Sequence, residues 1–127
     1  MIVTIAKRFT FDAAHRLDRL PPTHKCHRLH GHTYQVEFVL RGKMDDRGFV
    51  ADYDEIAQMW LPLHGQLDHR YLNEVPGLEI PSTENLALWI WRKIREDLRE
   101  DSPTLSDCLV AVRVSESSST WAEVTKS

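Results

Sequence analysis

The order of apolar patterns along the chain predicts an α+β fold, an antiparallel sheet with two helices on one face. Three observations carry that prediction. Residues 33–40 alternate, with Tyr34, Val36, Phe38 and Leu40 on one side, which is the period of a half-buried antiparallel strand. Leu86, Ile90, Ile94 and Leu98 recur every fourth residue beside Trp89, the stripe of a core-facing helix. The elements then run strand, hairpin, helix, helix, hairpin, without the regular βαβ alternation of a parallel sheet.

Each element has its own signal. Residues 2–11 are rich in β-branched and aromatic side chains and read as a strand. Pro21 and Pro22 punctuate the loop that follows. Residues 42–48 carry turn chemistry, and residues 49–51 are expected to complete a hairpin. Asp52, with Glu55 three residues on, has the pattern of a capping box. Ile56, Met59, Trp60 and Leu63 form that helix's apolar stripe, and Pro62 is expected to kink or end it. Ser82 or Thr83 caps the second helix, and Glu84 sits in its first turn, where the helix dipole favours an acid. After a polar loop, residues 108–115 alternate with Val110, Val112 and Val114 on one face, and residues 120–124 pair with them as a closing strand. Such a sheet leaves edges to protect, which a symmetric oligomer would do.

The 127 residues suit a single domain, 1–127, and a 42% hydrophobic fraction builds one modest core. The 28% charged fraction argues against disorder and against a membrane protein. No apolar run approaches the roughly 20 residues needed to cross a bilayer. The first eleven residues lack the apolar core of a signal peptide, so a cytoplasmic location is expected. With net charge −3 and no block of Lys or Arg, nothing favours a nucleic-acid partner. Cys26 and Cys108 do not make a disulfide framework. Four of the 7 histidines crowd between His24 and His32, beside Cys26, which suggests metal or acid–base chemistry.

The sharpest feature is Cys26-His27-Arg28-Leu29-His30-Gly31-His32, just before a predicted strand. In extended backbone, residues two apart project to one face, so His30 and His32 can present both imidazoles to one ion. Gly31 adds no side chain between them. A catalytic zinc site has three protein ligands and an open position, and His15 is the candidate third ligand, because the first two strands would bring it near. A lone His-x-His is more often surface polarity, and a structural zinc closed by Cys26 is a second alternative. Cys26 is either a small packing residue or, among His24, Lys25, His27 and Arg28, a thiolate base. Cys108, entering a Val-rich strand, is read as packing. Asp68-His69 is either a solvated turn or an acid–base pair in which the carboxylate steadies the imidazole. Glu116, at a strand end, is either an exposed carboxylate without a role or, sharing the parity of Val110, Val112 and Val114, a buried acceptor for a ligand with paired N–H donors.

Taken together, these stretches resemble the family of 6-pyruvoyltetrahydropterin synthase and 6-carboxytetrahydropterin synthase. The likeness runs from Phe9-Thr10-Phe11-Asp12-Ala13-Ala14-His15 through Cys26 to His32, then Leu67-Asp68-His69 and Tyr71-Leu72-Asn73. It continues through Pro81-Ser82-Thr83-Glu84-Asn85-Leu86-Ala87 to Glu116. The resemblance implies the tunnelling fold, a four-stranded antiparallel sheet with two helices on one face. It also implies a homohexamer of two stacked trimers with active sites between subunits. By the match His15, His30 and His32 bind zinc; Cys26 is the base, with Asp68 and His69 completing the proton-transfer set. Glu116 anchors the pterin's amino-pyrimidine edge, and Thr83 lines the pocket. The Cys-x₃-His-Gly-His spacing resembles the bacterial carboxytetrahydropterin branch, whereas the animal pyruvoyl enzymes have five residues before the first histidine. His27 departs from the smaller residue familiar at its position. The implied reaction is a zinc-dependent carbon–carbon lyase step: 7,8-dihydroneopterin triphosphate becomes 6-carboxy-5,6,7,8-tetrahydropterin, with release of acetaldehyde and triphosphate, for 7-deazaguanine (queuosine-type) biosynthesis. Lys25 and Arg28 are conceivable triphosphate contacts. Pyruvoyl-type elimination on the same scaffold and a non-catalytic structural-zinc protein stay open as alternatives.

Overall fold

A computed structural model describes residues 1–101 and 103–126, and for residues 97–101, 103 and 104 the backbone alone. Strands β1 (Val3–His15) and β2 (His30–Gly42) lead into helix α1 (Tyr53–Leu67), the two-residue strand β3 (Arg70–Tyr71) and helix α2 (Thr83–Asp101). A short helix α3 (Pro103–Cys108) and strands β4 (Leu109–Ser117) and β5 (Thr120–Thr125) complete the chain. The sheet order is β3-β1-β2-β4-β5. The fold is α+β, as its patterns predict, but the sheet has a fifth strand: β3 runs parallel to β1 at Ala13 and Ala14. Two residues carry no periodicity, so no sequence pattern could announce it.

The strands are longer than their alternation suggests. β1 continues past Phe11 because residues 12–15 find backbone partners in residues 30–33, ending with His15 directly opposite His30. Phe11, Ala13 and His15 therefore face the helices in step with Tyr34, His32 and His30 across the ladder. Val36, Phe38, Leu40, Val112 and Val114 continue that buried face to the far side of the sheet. Val110 does not belong to it. A bulge opposite Val39 and Leu40 shifts the register, so Leu109, Ala111 and Val112 are buried and Val110 is half-exposed.

Both long helices close the core as their stripes predict. Asp52 caps α1 by accepting from the Asp54 N–H at 2.9 Å, and Ile56, Met59, Trp60 and Leu63 are buried. Pro62 neither ends nor shortens the helix, which runs to Leu67; the proline lies on the exposed face, where water can satisfy the carbonyl it leaves unpaired. Ser82 rather than Thr83 caps α2, accepting from the Asn85 N–H at 3.1 Å. Leu86, Ile90 and Ile94 are buried; the Leu98 side chain lies outside the described residues. Trp89 flanks them and donates to the Pro76 carbonyl at 3.0 Å.

Two connections differ from expectation. Residues 49–51 form no strand. Asp45 instead closes the loop on itself, accepting from the Arg47 and Phe49 N–H groups at 2.9 and 3.1 Å. The stretch before β4 is helical rather than loop, with Pro103 at the first helical position, where it forfeits no hydrogen bond. Arg95 donates to the Ser106 and Leu109 carbonyls at 2.9 and 3.0 Å, satisfying the end of α3. Cys108 is the last residue of α3 and packs against the core, as a small apolar residue does.

Candidate metal centre and active site

The register of β1 and β2 builds the site. His15 opposite His30, with His32 two residues along the same face, brings three imidazoles to one end of the sheet. Their donor atoms all lie within 4.8 Å of one another. Ala13 opposite His32 is small, and a Cβ on Gly31 would come within 3.4 Å of the Ala13 carbonyl.

Hydrogen bonds decide which ring atoms face inward. His15 Nδ1 bonds the Pro81 carbonyl at 2.8 Å, and His30 Nδ1 bonds the Arg28 carbonyl at 2.7 Å. A carbonyl only accepts, so both Nδ1 atoms carry a proton, and in the neutral tautomers both Nε2 atoms present lone pairs. Those two Nε2 atoms are 3.0 Å apart. Two facing lone pairs repel unless a cation lies between them. His32 Nε2 is buried with no hydrogen-bond partner. Burial, ahead of the neighbouring imidazoles, pushes the His15 and His32 pKa values below the usual range, so both rings stay neutral. Neutral, oriented imidazoles with an unsatisfied buried nitrogen fit a metal ion. The α2 start contributes through Pro81, whose carbonyl holds His15 in place; no sequence signal marked that role.

Glu116 leans toward this cluster, its Oε2 3.6 Å from His32 Nε2 and 3.9 Å from His15 Nε2. Tyr34, fully buried beside both rings, has a hydroxyl without a partner, and burial raises its pKa. Thr83, the first residue of α2, donates to Glu84 Oε1 at 2.8 Å, two positions beyond Pro81. Cys26 sits on a 3-10 turn, Lys25–His27, held where its carbonyl accepts from the Leu17 N–H at 2.8 Å, two residues past His15. Among the described residues the converging donor group consists of the three imidazoles, without Cys26.

Asp68 and His69 form a separate unit. Asp68 Oδ2 accepts from His69 Nδ1 at 2.8 Å, and Asp68 Oδ1 from the Asp12 N–H at 3.0 Å. The His69 N–H donates to the Asp12 carbonyl at 2.6 Å, holding His69 at φ 58°, a left-handed conformation costly for a residue with a side chain. The Asp12 N–H, and then the His69 ring, hold the Asp68 carboxyl below its usual range; the Asp68 hydrogen bond and charge raise the His69 pKa. Asp12 accepts from Thr33, and both alternate with the buried residues, so they point away from the helices. An open cleft of about 590 Å³ on that side is bordered by Asp12, Gly31, His32, Thr33, His69 and Tyr71, among others, so His69 and one of the three imidazoles share it. Among the described residues no hydrogen bond or ion pair joins Asp68 or His69 to the three imidazoles, Cys26 or Glu116.

Comparison with known proteins fixes the lineage. The family model described as 6-pyruvoyl tetrahydropterin synthase matches residues 4–127. The chain belongs to the 6-pyruvoyl tetrahydropterin synthase family. It is thereby a pterin-converting enzyme. It is 39% identical over 100 residues to the 6-carboxy-5,6,7,8-tetrahydropterin synthase of Synechocystis sp., covering 72% of this chain and 74% of that one. It is 37% identical over 101 residues to the dihydroneopterin monophosphate aldolase of Pyrococcus furiosus, covering 80% and 82%. The structure of Caenorhabditis elegans 6-pyruvoyl tetrahydropterin synthase superposes with a TM-score of 0.85 at 26% identity, covering 100% of this chain and 97% of that one. The names of these relatives divide among three reactions.

Proposed function

We propose that this enzyme is a zinc-dependent carbon–carbon lyase that converts 7,8-dihydroneopterin triphosphate to 6-carboxy-5,6,7,8-tetrahydropterin, releasing acetaldehyde and triphosphate in 7-deazaguanine biosynthesis. The observation that carries it is the three-imidazole cluster, with Nε2 atoms turned inward and one of them buried and unpartnered. The Synechocystis relative and the Cys-x₃-His-Gly-His spacing favour the carboxy product.

His15, His30 and His32 would hold the ion. When bound, zinc supplies Lewis-acid polarisation of the substrate's side-chain oxygens. Glu116 accepts the paired N–H donors of the amino-pyrimidine edge, and Thr83 lines the same end. Cys26, as thiolate, takes a proton from the carbon beside the polarised oxygen. His69, whose hold on a proton Asp68 strengthens, returns a proton on another face of the substrate. Within one chain no hydrogen bond or ion pair among the described residues links the dyad to the imidazoles, which is consistent with a neighbouring copy's dyad completing each site. That arrangement fits a homohexamer of two trimers.

A second reading follows the Pyrococcus relative: an aldolase cleavage of a phosphorylated dihydroneopterin on the same scaffold. Incubating the zinc-loaded protein with dihydroneopterin triphosphate, with mass analysis of products, separates the readings. Acetaldehyde together with the carboxypterin supports the synthase. A pyruvoyl product or simple aldol cleavage assigns another family reaction, and no turnover of any of them removes the proposal.

A further inference from the structure

The connection between β1 and β2 has a charge the rest of the chain does not. Between His15 and His30 stand Arg16, Arg19, Lys25 and Arg28, opposed only by Asp18, in a protein of net charge −3. Among the described residues none of these four cations makes an ion pair, whereas Arg8, Arg47 and Arg113 are each paired with a carboxylate.

Arg16 is the informative member. It follows a metal-ligand candidate directly, and its backbone is fixed from both sides: its N–H donates to Asn73 Oδ1 at 3.0 Å, and Asn73 Nδ2 donates to its carbonyl at 2.9 Å. The side chain is half-buried, and its Nε is buried with no hydrogen-bond partner. Among the described residues its side chain makes one hydrogen bond, Nη2 to His27 Nε2 at 3.3 Å. A guanidinium only donates, so His27 Nε2 accepts and the imidazole carries its proton on Nδ1, which has no partner among the described residues. A partly buried guanidinium without a counter-charge is costly unless an anion joins it. Two donors without a protein partner, Arg16 Nε–H and His27 Nδ1–H, with the charges of Lys25 and Arg28 in the same connection, bring more positive charge than one carboxylate neutralises. They suit a multiply charged, tetrahedral anion.

We infer that Arg16 and His27 form the core of a phosphoryl-binding site at the rim of the metal centre, taking the phosphate end of the substrate. This rests on the phosphorylated-pterin reading above, and it gives a role to His27, the residue that departs from the family pattern. Lys25 and Arg28 then act at longer range, drawing the anion in.

The test is calorimetric titration of the zinc-loaded protein with tripolyphosphate as its magnesium complex, zinc content being measured before and after. Arg16→Gln should weaken binding by about tenfold or more, the effect of losing a charge-assisted hydrogen bond. His27→Ala, on a turn with no buried residue, should weaken it by several-fold. Arg41→Gln, a cation elsewhere on β2, should leave it unchanged. Absence of binding by the native protein overturns the inference, as does equal weakening by Arg16→Gln and Arg41→Gln. Tripolyphosphate binding without turnover of the pterin would keep this site and remove the proposed reaction. Turnover with undiminished binding in Arg16→Gln and His27→Ala would do the reverse.

Discussion

In a His30→Ala variant one of the three converging nitrogens is lost while the fold keeps nearly all its contacts. Zinc bound by four protein ligands contributes about 10–16 kcal/mol, so one imidazole accounts for about 3–4 kcal/mol, or on the order of 10²–10³ in affinity. The His30 ring is half-exposed, and its bond to the Arg28 carbonyl is replaceable by water. The metal-free variant should therefore unfold within about 1 kcal/mol of the native protein. His15→Ala is the contrast. At 1% exposure its removal leaves a cavity and an unpaired Pro81 carbonyl, together costing about 3–5 kcal/mol of metal-free stability. Chelator competition measures the first quantity and urea unfolding of the metal-free proteins the second. Native zinc affinity in His30→Ala, or equal destabilisation by both substitutions, would refute the reasoning.

Other outcomes follow from the same geometry. Cys26→Ala should retain zinc stoichiometrically by elemental analysis but lose turnover by about 10²–10⁴-fold; a fully active variant excludes the base role. Asp68→Asn should bring the His69 pKa back down toward its usual 6.5, read from its ring proton by NMR; an unmoved titration would assign the raised value to another group. Gly77→Ala forces a side chain into φ 90°, with its Cβ 3.1 Å from Trp89 Cδ1. The expected loss is about 2–3 kcal/mol in urea unfolding, and a loss under about 1 kcal/mol would mean the turn adapts. His15 and His32 have depressed pKa values, so below the usual 6.5 the unfolded chain takes up protons first. Stability of the metal-free protein should fall as pH drops through that value and level off below the folded-state values, and bound zinc should be released in the same window. A urea midpoint independent of pH between 7 and about 5 would contradict the neutral-imidazole assignment.

Much of this site was legible because extended backbone has a period of two. His30 and His32 had to share a face, and Glu116 had to share that of Val114. Parity failed at Val110, where a bulge inserts a residue that no composition marks. It was silent about Asp12, whose backbone clamps Asp68 and His69 from a strand more than fifty positions away. The Pro81 carbonyl and the Arg16–His27 pair were equally invisible, because main-chain acceptors look alike in every sequence and a contact between loops leaves no spacing.

The sequence by itself determined the two long helices with their core stripes, the main strands and the donors available for a metal, since each depends on local periodicity and side-chain chemistry. Only the tertiary structure decided that β1 runs on to His15, that His15 meets His30 across the ladder, and that the Asp12 backbone holds Asp68 and His69. Those outcomes depend on strand register and on backbone hydrogen bonds between distant segments, which are settled by pairing in space rather than by order along the chain.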